Sequence, residues 1–306
     1  MTARIPQLWY SEDFELSWEG HVFPAGKYSA LHDRLLREGL AREEDFGIPR
    51  PLTREDLLLG HSAAYLDRLE AMTRDPAQGW LEFEAPCSEG VLQAFFLMGG
   101  GTVRAAEAAA RQGGFGANLG GGFHHAFPHK GEGFCAINDI VIATRWLQRE
   151  GLARRVAIVD LDVHQGNGTA WALEGDPSCF TLSLHQENNY PVKQHSSLDL
   201  GLPDHCGDDE YLEALERGLA AVTDFGPDLV LYVAGADPFV GDRLGGLDLS
   251  LDGLEARDEA VFGVTLARGI PTVACLAGGY AESEDLVVEI HYRMIRSGLR
   301  AGDKGI

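Results

Sequence analysis

The segment Val156–Gly168 (VAIVDLDVHQGNG) holds the densest chemistry in the chain. Its apolar run, VAIVDL, reads as a buried strand that breaks into a polar tail ending in glycine. Alternate residues of extended chain face the same way, so Asp160, Asp162 and His164 can all point to one side of the strand's exit. Two carboxylates and an imidazole at one point suit a divalent metal of hard-to-borderline character. The same pattern also suits a turn in which aspartate side chains cap backbone amides.

Three further strand exits carry unusual residues. One is Gly120-Gly121-Gly122-Phe123-His124-His125. Glycines let backbone come close to a site, and adjacent histidines can converge in an irregular loop although not in a strand. A surface histidine doublet is the plainer account. After DLVLYVA comes Gly235-Ala236-Asp237-Pro238. An aspartate directly behind a buried apolar run needs a charge partner, a metal or a capping role. After TVACL comes Ala277-Gly278-Gly279-Tyr280, a tight turn that presents a phenol or merely packs it. Together, Asp162, His164 and Asp237 make a two-carboxylate, one-imidazole site with a position left open for water. His124 and His125 supply acid–base groups, and Tyr280 supplies a neutral donor for an oxyanion. Those are the parts of a metal-assisted amide hydrolase.

The elements that must position these residues follow from periodicity. Lys27–Glu38 is amphipathic, Thr53 opens a helix with a capping signal, and Ala63–Thr73 makes another. Residues 76–86 read as a connection. A long helical pattern covers Val91–Gln112, where Gly99-Gly100-Gly101 marks a close contact, a kink or a break. From Phe115 onward the chain alternates. Strands fall at Phe115–Leu119, Val156–Leu161, Cys179–Leu184, Asp228–Ala234 and Pro271–Leu276. Helices fall at Ile137–Glu150, Asp208–Asp224, Asp252–Arg268 and Glu282–Arg300. Such alternation predicts an α/β fold: one domain over residues 1–306, with a mostly parallel sheet and helices on both faces. In such sheets, sites form beyond the carboxyl ends of the strands, where the unusual residues lie.

The composition narrows the partners. Lys and Arg number 25 against 47 Asp and Glu, a net charge of −22, so nucleic acid and anionic membranes are repelled while cationic substrates are favoured. Solubility alone also accounts for such a charge. The five cysteines are scattered without a C-x-x-C pair, which fits free thiols in a reducing cytoplasm. The first twenty residues have no apolar stretch of signal-peptide type, and no run is long enough to span a bilayer.

The segments GGGFHHAFPHKGEGFCAINDIVIA, VAIVDLDVHQGNGTA, FTLSLHQ, AGADPFVGDRLGGLDLS and AGGY resemble the zinc-dependent histone deacetylase family of the arginase–deacetylase superfamily. They stand in the family's order, and the resemblance runs over residues 5–295. The wording HHAFP, GEGFC, DVHQGNG and GDRLGG, with Phe23–Tyr28 (FPAGKY), is nearest the class IV-like branch and its bacterial relatives.

The resemblance implies roles. Asp162, His164 and Asp237 resemble the zinc ligands, although iron(II) suits the same set. His125 resembles the general base, and His124, held by Asp160, resembles its charged partner. Tyr280 resembles the residue that polarises the scissile carbonyl. Phe134 and Tyr190 resemble the aromatic walls of an acyl-lysine tunnel, and Gly133 would offer its carbonyl to the substrate amide. A potassium ion is implied at Asp160, Asp162, His164, Ser183 and Leu184. Asn167 stands where class I members have aspartate; it orients His125 without raising its basicity as a carboxylate would. Lys27 falls where class I members line an acid-exit channel with arginine, or else is a surface lysine.

The implied substrate is an acyl-lysine protein or peptide, or an acylated polyamine. No long insertion of the polyamine-deacylase kind lies between Gly60 and Gly114, which favours acyl-lysine. A binuclear manganese hydrolase of the arginase type would need further carboxylates where Gly166 and Gly235 stand. A non-catalytic acyl-amine sensor would be expected to have lost Tyr280 or a ligand.

Overall fold

The computed structural model describes residues 7–304. In chain order its elements are β1 (Leu8–Trp9), α1 (Lys27–Arg37), β2 (Phe46–Gly47), α2 (Arg54–Leu57), α3 (Ala63–Met72), α4 (Gly79–Glu82), α5 (Glu89–Gln112) and β3 (Phe115–Asn118). There follow α6 (Asp139–Arg149), β4 (Val156–Asp160), α7 (Asn167–Leu173), β5 (Cys179–Gln186), β6 (Leu198–Leu202) and α8 (Asp208–Phe225). The chain closes with β7 (Leu229–Val233), α9 (Leu251–Thr265), β8 (Thr272–Cys275) and α10 (Glu284–Lys304).

The strands form one sheet in the order β2-β1-β3-β8-β7-β4-β5-β6, and every pairing is parallel. Helices cover both faces: α5 packs with α6, and α10 packs with α9 and α1. With both faces covered, the central strands read as continuous apolar runs. VAIVD of β4 and LVLYV of β7 are buried throughout. The edge strand β6 (LDLGL) alternates between half-buried and exposed up to its buried last residue, and its short run, interrupted by Asp199 and Gly201, escaped the sequence reading. Strands β1 and β2, of two residues each, are too short to carry a period. The stretch 76–86, expected as a connection, contains a turn of 3₁₀ helix and α4.

The glycine triplet resolves as a close contact. Helix α5 runs unbroken, its first turn capped by the Ser88 hydroxyl, which accepts from Val91 N at 3.2 Å. A side chain on Gly100 would overlap the Arg50 carbonyl, and one on Gly101 would overlap Asn118. Asn118 Nδ2 instead donates to Met98 O at 2.8 Å, tying β3 to the helix. Thr53 caps α2 as its sequence implied. All five cysteines are free and buried, and no described helix is long and apolar enough to cross a membrane.

Candidate metal centre and active site

The turn after β4 satisfies both readings of D-x-D-x-H. Asp162 N donates to Asp160 Oδ1 at 3.2 Å and His164 N donates to Asp162 Oδ1 at 3.0 Å, so the aspartates do cap backbone amides. Those bonds also aim the side chains. Val163 N donates to Asp237 Oδ1 and Gly278 N to Asp162 Oδ2, each at 2.9 Å, and these anchor the carboxylates from two other strand ends. His164 Nδ1 then lies 3.0 Å from Asp162 Oδ1 and 3.3 Å from Asp237 Oδ2. All three residues are buried, and Asp237 Oδ2 receives no well-aligned hydrogen bond.

Two carboxylates held this close in a dry site call for a cation between them. With no metal bound, a proton on His164 would fill that need in part. Burial opposes it, but Asp162 and Asp237 outweigh burial and lift the imidazole to about 10. Burial and the charge of Asp162 push the Asp237 carboxyl up. The donor set and the orphaned oxygen fit a divalent metal. Side chains at Gly235 and Gly278 would run into the two carboxylates, so only glycine leaves the cradle open. For the same reason a second metal has no ligand at Gly235, and a side chain at Gly166 would overlap Asp160.

The histidine pair is held in two different states. The rings are 4.0 Å apart. His124 Nδ1 meets Asp160 Oδ2 at 2.7 Å, and His125 Nδ1 meets Asn167 Oδ1 at 2.9 Å. Burial alone would lower both. For His124 it is outweighed by Asp160 and Asp162, which lift it to about 9. For His125 burial dominates, reinforced by His124 and His164, and its pKa falls well below the usual range. With no metal bound, the surroundings favour the charged form of His124 and the neutral form of His125.

Above them opens a cavity of about 260 Å³, lined by His125, Gly133, Phe134, Tyr190 and Tyr280 among others. Tyr190 stands 5.4 Å from His125 and 6.1 Å from His164, ring to ring. Phe134 stands 6.0 Å from Tyr280. Gly133 and Phe134 both have positive φ (56° and 62°), a turn that brings their backbone against His125. Tyr280 is anchored by its amide to Asp242 Oδ2 at 2.6 Å. Burial and nearby Asp237 and Asp162 push its phenol well above the usual range, so it stays a proton donor. Of the residues expected at a potassium site, Asp160 pairs with Ser183 in the β4–β5 register, with Leu184 next along.

The histone deacetylase domain family matches residues 21–292. The chain is 44% identical over 272 residues to an uncharacterized protein of Picosynechococcus sp., covering 88% of this chain and 90% of that one. It is 34% identical over 295 residues to histone deacetylase 2 of Arabidopsis thaliana, covering 91% and 76%. This chain belongs to the histone deacetylase family. Among solved structures, the deacetylase homologue from Aquifex aeolicus superposes with a TM-score of 0.80 at 26% identity, covering 95% of this chain and 82% of that one.

Within this family member, His125, Gly133, Phe134, Tyr190 and Tyr280 line the cavity, Asp162, His164 and Asp237 form the cradle, Asp160, Ser183 and Leu184 lie at the adjoining β4–β5 ends, and His124 and Asn167 contact His125. Lys27 settles as a buried residue, not a surface lysine. It is fully enclosed at the start of α1, and its ammonium donates to Ala277 O at 2.5 Å. Burial lowers it to about 8 against the pull of Asp237 and Asp162.

Several site residues escaped sequence reasoning. Glu84, Asn189 and Leu244 line the cavity. His21 packs edge-on against Phe134, its ring 4.7 Å away. Arg257 is fully buried on α9, and its Nη1 donates to Gly235 O at 2.6 Å and reaches Leu161 O at 3.4 Å. One guanidinium, paired with Asp258 at 2.9 Å, thus ties together the two strand ends that carry Asp162 and Asp237. A charged pair within a helix reads as a solvated face, so no local signal marked it.

Proposed function

We propose that this deacetylase-family protein is a metal-dependent hydrolase that removes an acetyl or longer acyl group from a lysine side chain. The observation carrying the proposal is the placement of two adjacent histidines, one braced by Asp160 and the other by Asn167, beside an Asp-His-Asp cradle at the floor of an aromatic-lined cavity. A divalent metal held by Asp162, His164 and Asp237, zinc or iron(II), would polarise the acyl carbonyl and acidify water there.

The chain's own groups supply the rest. Phe134 and Tyr190 sandwich the extended lysine methylenes and exclude water from them. The Gly133 carbonyl accepts from the scissile amide N–H. His125 Nε2 takes a proton from the attacking water. Tyr280 donates its phenolic hydrogen bond to the developing oxyanion. His124, charged and braced by Asp160, stabilises the negative charge that gathers at the floor and supports proton delivery to the leaving amine. Lys27 faces the same carboxylates from beneath, where a departing carboxylate would meet its ammonium. A potassium ion at Asp160, Asp162, His164, Ser183 and Leu184 would stiffen the β4–β5 ends.

The test is a panel of acetyl-, octanoyl- and myristoyl-lysine peptides and acetylspermidine, assayed with and without chelator. Chelator-sensitive cleavage of one acyl-lysine is the expected result and reads out acyl length at once. Preference for acetylspermidine keeps the mechanism and moves the substrate to acylated polyamines. Metal binding without any cleavage overturns the catalytic proposal in favour of a sensor.

A further inference from the structure

Behind His125 and Asn167 stands a carboxylate that no strand-exit motif marks. Asn167 Nδ2 donates to Glu132 Oε1 at 2.7 Å. The other carboxylate oxygen of Glu132 is ion-paired with Lys130. Asn167 is 1% exposed, whereas the Glu132 side chain is 17% exposed, so the charge meets the amide from the rim of the site. Glu132 sits in the turn that carries Gly133 and Phe134. Glu132 N donates to Cys135 O at 3.2 Å, and Cys135 N returns a bond to Glu132 O at 2.9 Å. The carboxylate and the cavity wall are therefore built as one piece.

An asparagine side chain has a donor end and an acceptor end, and the residue alone does not decide which one faces a neighbour. Here both ends are decided. A carboxylate only accepts, so Glu132 takes the NH₂ end. Gly168 N donates to Asn167 Oδ1 at 3.0 Å and holds the carbonyl end. Oδ1 is left to accept from His125 Nδ1 at 2.9 Å. With its proton on Nδ1, the imidazole keeps a free lone pair on Nε2, the atom that faces the cavity.

We infer that Glu132 is a positioning residue for the general base: by holding the Asn167 amide, it fixes His125 as the Nδ1–H tautomer. The consequence for turnover rests on the proposed deacylase reaction; the tautomer itself does not. Charge and hydrogen bonding can be separated by substitution. Glu132→Ala removes both, and Glu132→Gln keeps an acceptor oxygen for Asn167 Nδ2.

The experiment uses the full chain as purified, labelled with ¹⁵N-histidine, with the His125 signals assigned by their loss in His125→Asn. The ring-nitrogen shifts give the tautomer near neutral pH, and kcat and KM are measured on the acyl-lysine peptide that the wild type cleaves best. Wild type should show Nδ1 protonated and Nε2 bare. Glu132→Ala should show a tautomer mixture, with kcat down about tenfold and KM little changed, the low end of what losing a partner behind a functional imidazole costs. Glu132→Gln should restore the single tautomer and most of kcat. An unchanged tautomer in Glu132→Ala overturns the inference. So does a Glu132→Gln variant that loses activity through KM, which would make Glu132 a mere support of the Gly133–Phe134 turn. A wild type that cleaves nothing overturns the deacylase proposal alone, and the nitrogen shifts then decide the role of Glu132.

Discussion

At the scale of single residues, chemistry is set by differences between neighbours of the same type. His124 and His125 are adjacent, equally buried and in ring contact. Asp160 behind His124 outweighs burial and favours the charged ring, whereas burial favours the neutral form of His125, with only a neutral asparagine amide behind it to oppose that. Tyr280 is the sharpest single test. Its phenol is buried at the cavity floor with no charge to lose, so Tyr280→Phe changes little volume. Turnover should fall by roughly 10²–10³-fold, the loss of one oxyanion donor worth about 3–4 kcal/mol, with melting temperature nearly unchanged. Steady-state kinetics beside a thermal melt check both halves, and near-normal turnover would remove Tyr280 from the mechanism.

At the scale of elements, the site depends on backbones that approach closely. Alanine at position 100 gains up to about 1 kcal/mol of helix propensity. It must also push the Arg50 carbonyl away from α5, and overpacking of that kind costs about 1–3 kcal/mol. Because the obstacle is backbone and not a movable side chain, the clash wins. Gly100→Ala should therefore destabilise the protein in urea titrations; a stabilised variant would mean that the 50–52 crossing yields freely.

A second element-scale device is His61, which follows α2 and pins the loop carrying His124 and His125. Its Nδ1–H donates to Phe127 O at 3.1 Å, and its Nε2 accepts from Asn138 N at 2.9 Å. Burial lowers it to about 4, against the raising effect of the Phe127 bond. The unfolded chain takes up that proton near pH 6.5, before the folded chain does. Stability from His61 is thus present above about pH 6.5 and is lost as pH falls toward 4, up to about 3 kcal/mol. Urea midpoints between pH 7 and 4.5 should fall more gently in His61→Gln than in wild type. Parallel slopes would place the acid sensitivity elsewhere.

At the scale of the whole molecule, a net charge of −22 surrounds a largely apolar cavity. A field of that sign attracts cationic substrates over distances that salt can screen. KM for an acyl-lysine peptide flanked by arginines should rise by about threefold or more between 50 and 500 mM salt. A neutral peptide of the same acyl group should show a flat response. Equal salt dependence for the two would mean that the surface charge serves solubility only.

Apart from α7 and β6, the order of strands and helices from Phe115 onward was legible in the chain itself, as were the parallel α/β class and the candidate metal triad. Each depends on local regularities: apolar runs, period-2 spacing in D-x-D-x-H, and glycines at strand exits. Asp162, His164 and Asp237 were recognisable because a strand's carboxyl end is a fixed address in a parallel sheet. Sequence was silent wherever a residue's role comes from what a distant element places beside it. Arg257 is a charge that a helix face normally shows to water, and Lys27 was left between a channel residue and a surface lysine; only the packing of α1, α9 and α10 buries both. Glu84 and Glu132 sit in turns without periodicity, and their neighbours at the cavity are set by loop closure across the sheet's end. Local interactions decided the elements and the ligand types; long-range packing decided which charges are buried, and so which of them can do chemistry.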